Sequence, residues 1–175
     1  MHTTHLVVET REIDPVEDLL AYADPARPLA WLRRGDGIVA VGEPLAELRP
    51  RPAAGTPRSQ ALATVWRGIS AQAEISDPVG LPGTGLVAFG AFAFDEESAA
   101  DSVLIVPARV LGRHGHRFWE TRIRLASDPR AATPLATQPY GPHWAGTVGP
   151  GAQSPQGYQD SVRRALTRIA DGELS

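Results

Sequence analysis

The chain contains no lysine; all 17 of its basic residues are arginine. Arginine stays protonated at any working pH, so no residue here can act as a lysine general base, form a Schiff base or fill the lysine position of a phosphate-binding loop. Cysteine is absent as well, which excludes disulfides and thiolate metal sites. No apolar run approaches the roughly 18 residues that a membrane-crossing helix needs. The start, MHTTHLVVE, lacks the charged-then-apolar layout of a signal peptide. With a formal charge of −3 and its arginines scattered, the chain has no basic field to gather nucleic acid. These absences lead us to expect a cytoplasmic protein with no membrane and no nucleic-acid partner.

What is present fits an ordinary soluble chain. Its 175 residues are 42% hydrophobic and 21% charged, enough for one domain with a core or for part of a larger one. A short strand is expected over residues 5–9. A helix follows in DPVEDLLAYA, with Asp14 as cap, Pro15 in the first turn and Glu17 in the capping-box position. PLAWLRRGDGIVAVG, from Pro28 to Gly42, reads as a hairpin of two apolar runs around a Gly-Asp-Gly turn. After the proline-rich LRPRPAAGTPRS, Thr56 and Pro57 open a helix whose stripe is Leu62, Val65, Trp66, Ile69 and Ala73.

Three strands are expected next, in LVAFGAFAFD, SVLIVPARVLG and RFWETRIRLA. The third alternates, with Trp119, Thr121, Ile123 and Leu125 on one face and Glu120, Arg122 and Arg124 on a wet one. Trp66 and Trp119 are expected as core residues facing one another across helix and sheet. Residues 127–153, rich in Pro, Gly and Ala, read as an internal linker over the surface. A last helix starts at the Ser154 cap and Pro155, carries Tyr158, Val162, Leu166 and Ile169 as its apolar stripe, and ends at Gly172. The fold class is therefore α+β, an antiparallel sheet with helices packed on it.

No complete active site is visible in these residues. His114 and His116, with His2, His5 or His143 as a third ligand, would form a poor metal site, because no acid clusters with them. PGTGLVAFG has the glycines of a phosphate cradle but precedes a strand and has no lysine. FDEES at 94–98 gathers acids without the spacing of a calcium loop. Ser70, in GISAQ, lacks the elbow that exposes a nucleophile.

Taken in order, GTGLVAFGAFAFD, SVLIVPARVLGRHGHRFWET and YQDSVRRALTRIADGEL resemble the N-terminal part of isochorismate synthases, in the chorismate-utilising family. The likeness runs over residues 28–175. It implies that residues 1–175 are an incomplete portion of a chorismate-binding domain, the first half of its α/β/α fold. The implied reaction is isomerisation of chorismate to isochorismate, on a route to menaquinone, a siderophore or salicylate. In that family a helix ending GEL feeds a strand whose lysine activates water, and glutamates hold Mg²⁺ against the substrate carboxylates. None of those groups maps onto a residue of this chain, so the resemblance assigns no catalytic, cofactor-binding or metal residue within it. It also implies that the chain alone is inactive. The alternatives are a portion of an anthranilate, aminodeoxychorismate or salicylate synthase, although DLLAYA only faintly echoes the LLES-like motif of the first two. A non-catalytic binding domain derived from the same fold is the remaining reading.

Placed on a hairpin turn, His114 and His116 should contribute little to the fold. Replacing both with alanine is expected to change stability by less than about 0.5 kcal/mol, measured by denaturant titration. Stoichiometric zinc or nickel uptake that disappears in the double variant would contradict this.

Overall fold

The longest pairing in the structure joins the first strand to one more than a hundred residues later. In this computed structural model, which describes residues 5–49, 56–95, 98, 100–128, 133–139, 149 and 151–173, β1 (Leu6–Ile13) runs antiparallel to β9 (Arg117–Leu125) over eight residue pairs. Both strands alternate, so Leu6 and Val8 share one face with Ile123 and Trp119, while Arg11 shares the other with Glu120.

Between them the chain forms β2 (Ala30–Arg33), β3 (Asp36–Ala40), β4 (Pro44–Leu48), α1 (Arg58–Gln72), β5 (Glu74–Ser76), β6 (Phe89–Ala91), β7 (Val103–Pro107) and β8 (Arg109–His114). The strands build a six-stranded sheet in the order β2-β3-β8-β9-β1-β5 and a three-stranded sheet in the order β4-β7-β6. All pairings are antiparallel except that of β5 with β1. The α+β class expected from the sequence is what forms. The last helix, α2 (Pro155–Ala170), belongs to a second compact unit, Gly141–Ser175, separate from Met1–Tyr140.

The stretch expected as one strand at SVLIVPARVLG is two. Pro107 has no N–H to donate to a ladder, and the chain bends at Ala108, leaving β7 in one sheet and β8 in the other. The partner chain bends at the same level between β3 and β4, where Gly42 takes φ +75°. Two paired strands thus turn a corner together and bring the small sheet against one face of the large one. Leu6, Val8, Val106 and Ile123 form the core between them, covered by Trp66 and Ile69 of α1 and by Leu45 and Leu48 of β4. A second cluster, Leu19, Ala23, Val39 and Leu111, lies on the opposite face of the large sheet, with Leu135 over it. Leu135 comes from the expected linker, whose residues 133–139 belong to the first unit and are tied by Gln138 N–H to the Ala21 carbonyl at 2.6 Å.

Several local expectations are corrected. The helix at DPVEDLLAYA is only a 3-10 turn, Leu19–Tyr22, capped by Asp18 rather than Asp14. Asp18 accepts the Leu20 N–H at 2.9 Å, and the prolines at 25 and 28 leave no room beyond it for an α-helix. The hairpin turn is Arg34–Gly35, both at positive φ as a two-residue turn requires, and not Gly-Asp-Gly. Of LVAFGAFAFD only Phe89–Ala91 pairs, and Phe92 and Phe94 face solvent. β4 and β5 were not visible in the sequence. Residues 50–55 of the proline-rich connection lie outside the described residues.

Trp119 is fully buried, and Trp66 packs on the first cluster. Trp119 is a core residue as expected, whereas Trp66 is only partly buried, and what lies against the Trp119 ring is the backbone of Gly112. Gly112 is its cross-strand partner, and a Cβ there would come within 2.1 Å of the indole. Gly112→Ala is therefore expected to destabilise by about 3 kcal/mol, the upper part of the range for overpacking a core, because a fully buried ring has nowhere to move. Urea denaturation showing a loss under about 1 kcal/mol would refute this.

Candidate functional site

Among the described residues, the face of β9 expected to be wet carries a buried charged side chain. Glu120 has no exposed surface, although its neighbours on the same face are arginines. Strand register explains how it is tolerated. Arg11 stands opposite it on β1, Arg109 stands opposite Arg122 on β8, and Arg122 is two residues along the same strand. Arg11 donates to Glu120 Oε2 through Nε at 3.0 Å and Nη2 at 2.8 Å, and Arg122 Nη2 lies 3.0 Å from the same oxygen. Arg109 Nε sits 3.1 Å from Oε1, near enough for an ion pair but without an aligned N–H. Oε1 and the Arg122 Nε accordingly lack hydrogen-bond partners among the described residues.

Burial works to raise the Glu120 pKa, but hydrogen bonds from Arg122 and Arg11 and the charges of Arg122 and Arg109 outweigh it, and the net shift is downward. The carboxylate is thus ionised near neutrality. It can neither donate a proton as a general acid nor, held by three cations, accept one readily. Arg109 is shifted downward by desolvation, with Glu120 opposing and Arg122 and Arg11 adding to the shift. Its other guanidinium nitrogen donates to the Thr133 carbonyl, tying the segment at 133–138 to the sheet.

An open cleft of about 540 Å³ adjoins this cluster, and Arg109, Arg122, Arg124, Glu43, Asp128 and Gln138 are among the residues that line it. Glu9 lines it too, so its charges nearly balance. The cluster is a built electrostatic joint between three strands, and its chemistry is to hold charge rather than to move protons.

The residues singled out in the sequence are not brought together. His114 and His116 are exposed at the β8–β9 turn, where His114 Nδ1 is 3.8 Å from Asp36. His5 is exposed near Glu74 at 3.3 Å, and His2 and His143 lie outside the described residues. Ser70 donates to the Trp66 carbonyl within α1 at 2.9 Å. Gly83 and Gly85 serve a turn at positive φ, and Gly85 N–H donates to Thr10 Oγ1. Of the FDEES acids, Asp95 is exposed and Glu96 and Glu97 lie outside the described residues. No three His, Asp or Glu among the described residues are grouped to hold a metal, so the donor set for the implied Mg²⁺ is not found in them. No described helix is long and apolar enough to cross a membrane.

Glu120→Gln should cost about 2–4 kcal/mol, near the lower end for a broken buried ion pair because Arg11 and Arg122 still reach water. The pH dependence has a fixed sign. A folded pKa below the ordinary glutamate value means that the stabilisation is complete above that value and is lost as pH falls through the folded one. The stability gap between wild type and Glu120→Gln should therefore be flat above about pH 5 and shrink below about pH 4. A gap that widens on acidification would show the sign to be wrong. Comparison of the chain with family models, with curated proteins and with solved structures finds no match.

Proposed function

We propose that the chain is the N-terminal portion of a chorismate-utilising enzyme of the isochorismate synthase type, in which it forms the supporting half of an α/β/α chorismate-binding fold. The observation that carries this reading is α2. It starts at the Ser154 cap, whose Oγ accepts the Gly157 N–H at 3.1 Å, and Gly172 turns the chain at φ +75°. Its stripe of Tyr158, Val162, Leu166 and Ile169 is exposed. A helix amphipathic in this way is made to be covered by a sheet.

Moving a hydroxyl as water between two ring carbons needs a base on one side and an acid on the other. Glu120 is committed to its arginines, and the described histidines sit on exposed surface. The base and acid must then come from groups other than these, as the lysine and glutamate do in the resembled family. The role of the described residues is to support the site.

The test presents chorismate and Mg²⁺ to the 175-residue chain and, in parallel, to the product of its whole reading frame, with product followed by chromatography. Turnover is expected only where a lysine is supplied. Turnover by the lysine-free chain would overturn the mechanism, and failure of the whole product to bind or convert chorismate would overturn the family reading.

A further inference from the structure

Among the described arginines only the side chains of Arg33, Arg34 and Arg124 have no hydrogen bond or ion pair, and two of these line one cleft with an aromatic ring. Trp31, on the edge strand β2, is 77% exposed. It stands opposite Ile38, and Arg33, two residues on, projects from the same face of the strand. Arg34 follows at φ +56° in the turn, a left-handed conformation that is strained for arginine and relaxed for glycine or asparagine.

These side chains border an open cleft of about 510 Å³ whose floor is Ile38 and whose far wall is the Pro82–Gly83 loop. Gly83 packs so closely that a Cβ there would lie 2.7 Å from Ile38. The one acid in the lining, Asp36, is engaged by Arg113 at 3.6 Å and by the Gly115 N–H at 3.0 Å. The cleft is left with two unneutralised guanidinia beside a bare indole face.

From this we infer a binding site for a small ring-bearing phosphate, such as a nucleoside monophosphate, with the ring stacked on Trp31 and the phosphate held by Arg33 and Arg34. Arginine matches phosphate through paired N–H donors, and an exposed indole offers a stacking face to any flat ring. The cleft has the size of a small-molecule site. The strained Arg34 fits a side chain retained for binding at the expense of backbone comfort. The site is independent of the chorismate reading.

Titration of the full chain with AMP at low ionic strength, by calorimetry, should give a saturable one-site isotherm. Adenosine, inorganic phosphate and tetraglutamate should each bind at least about tenfold more weakly, since each lacks the ring or the phosphate. Trp31→Ala should weaken AMP by about fivefold or more, while Arg124→Ala, a free arginine elsewhere, should not. Arg34→Gly separates ligand binding from folding, because it should raise the melting temperature by a few degrees while weakening AMP. The inference is overturned if AMP shows no saturable binding up to about 10 mM, if tetraglutamate binds as well as AMP, or if AMP affinity survives Trp31→Ala or Arg34→Gly unchanged.

Discussion

A fully buried carboxylate in the middle of a sheet constrains everything around it. Left unpaired, Glu120 would cost several kcal/mol, and its partners come from the strands on both sides, Arg11 of β1 and Arg109 of β8. The cluster therefore holds the register of three strands. A slip of one residue in β9 would carry Glu120 to the face of the apolar core and Trp119 among the arginines. The same register sets Gly112 beneath the Trp119 ring, so the packing of one face and the charge pairing of the other stand or fall together. The orphaned Trp119 Nε1 is consistent with a ring placed by this registration rather than by its own hydrogen bond.

What was legible in the sequence was what is decided locally. Ser154 with Pro155 fixes the start of α2, and Gly172 its end, through contacts within three or four residues, and both are found where the sequence puts them. The two histidines at the β8–β9 turn are exposed for the same reason. Alternation along β9 correctly separated Trp119, Thr121 and Ile123 from Glu120 and Arg122. It could not say that the second face is covered, because the cover comes from residues 19–23 and 133–138. Nor could it say that Arg11, 109 positions earlier, would stand opposite Glu120.

The errors have the same origin. β5 pairs only three residues with β1 in parallel, a pairing with no local signal. The bend at Ala108 follows from which sheet each half joins, although Pro107 was a visible reason for doubting one continuous strand. At residues 14–23 a local rule did fail, because the capping bond expected of Asp14 is made by Asp18. The candidate site was less legible than the fold, since it consists of side chains brought together across strands.

The absence of lysine bears on function more than any single motif. Arginine carries a permanent charge, so the cations described here pair, stack or hold anions, and do not exchange protons. Glu120 is held in its charged form by three of them. The described histidines, which alone among the side chains titrate near neutrality when unperturbed, stand on exposed surface, and of them His114 borders the cleft at the β2–β3 hairpin. On the proposed reading, the described residues support a site whose base is supplied by other groups. A supporting half would have its arginines spent on internal joints, as Arg11, Arg109 and Arg122 are. Arg33 and Arg34 are not spent in that way, and together with the bare ring of Trp31 they make the β2–β3 hairpin the place where this chain has binding capacity that its own fold does not use.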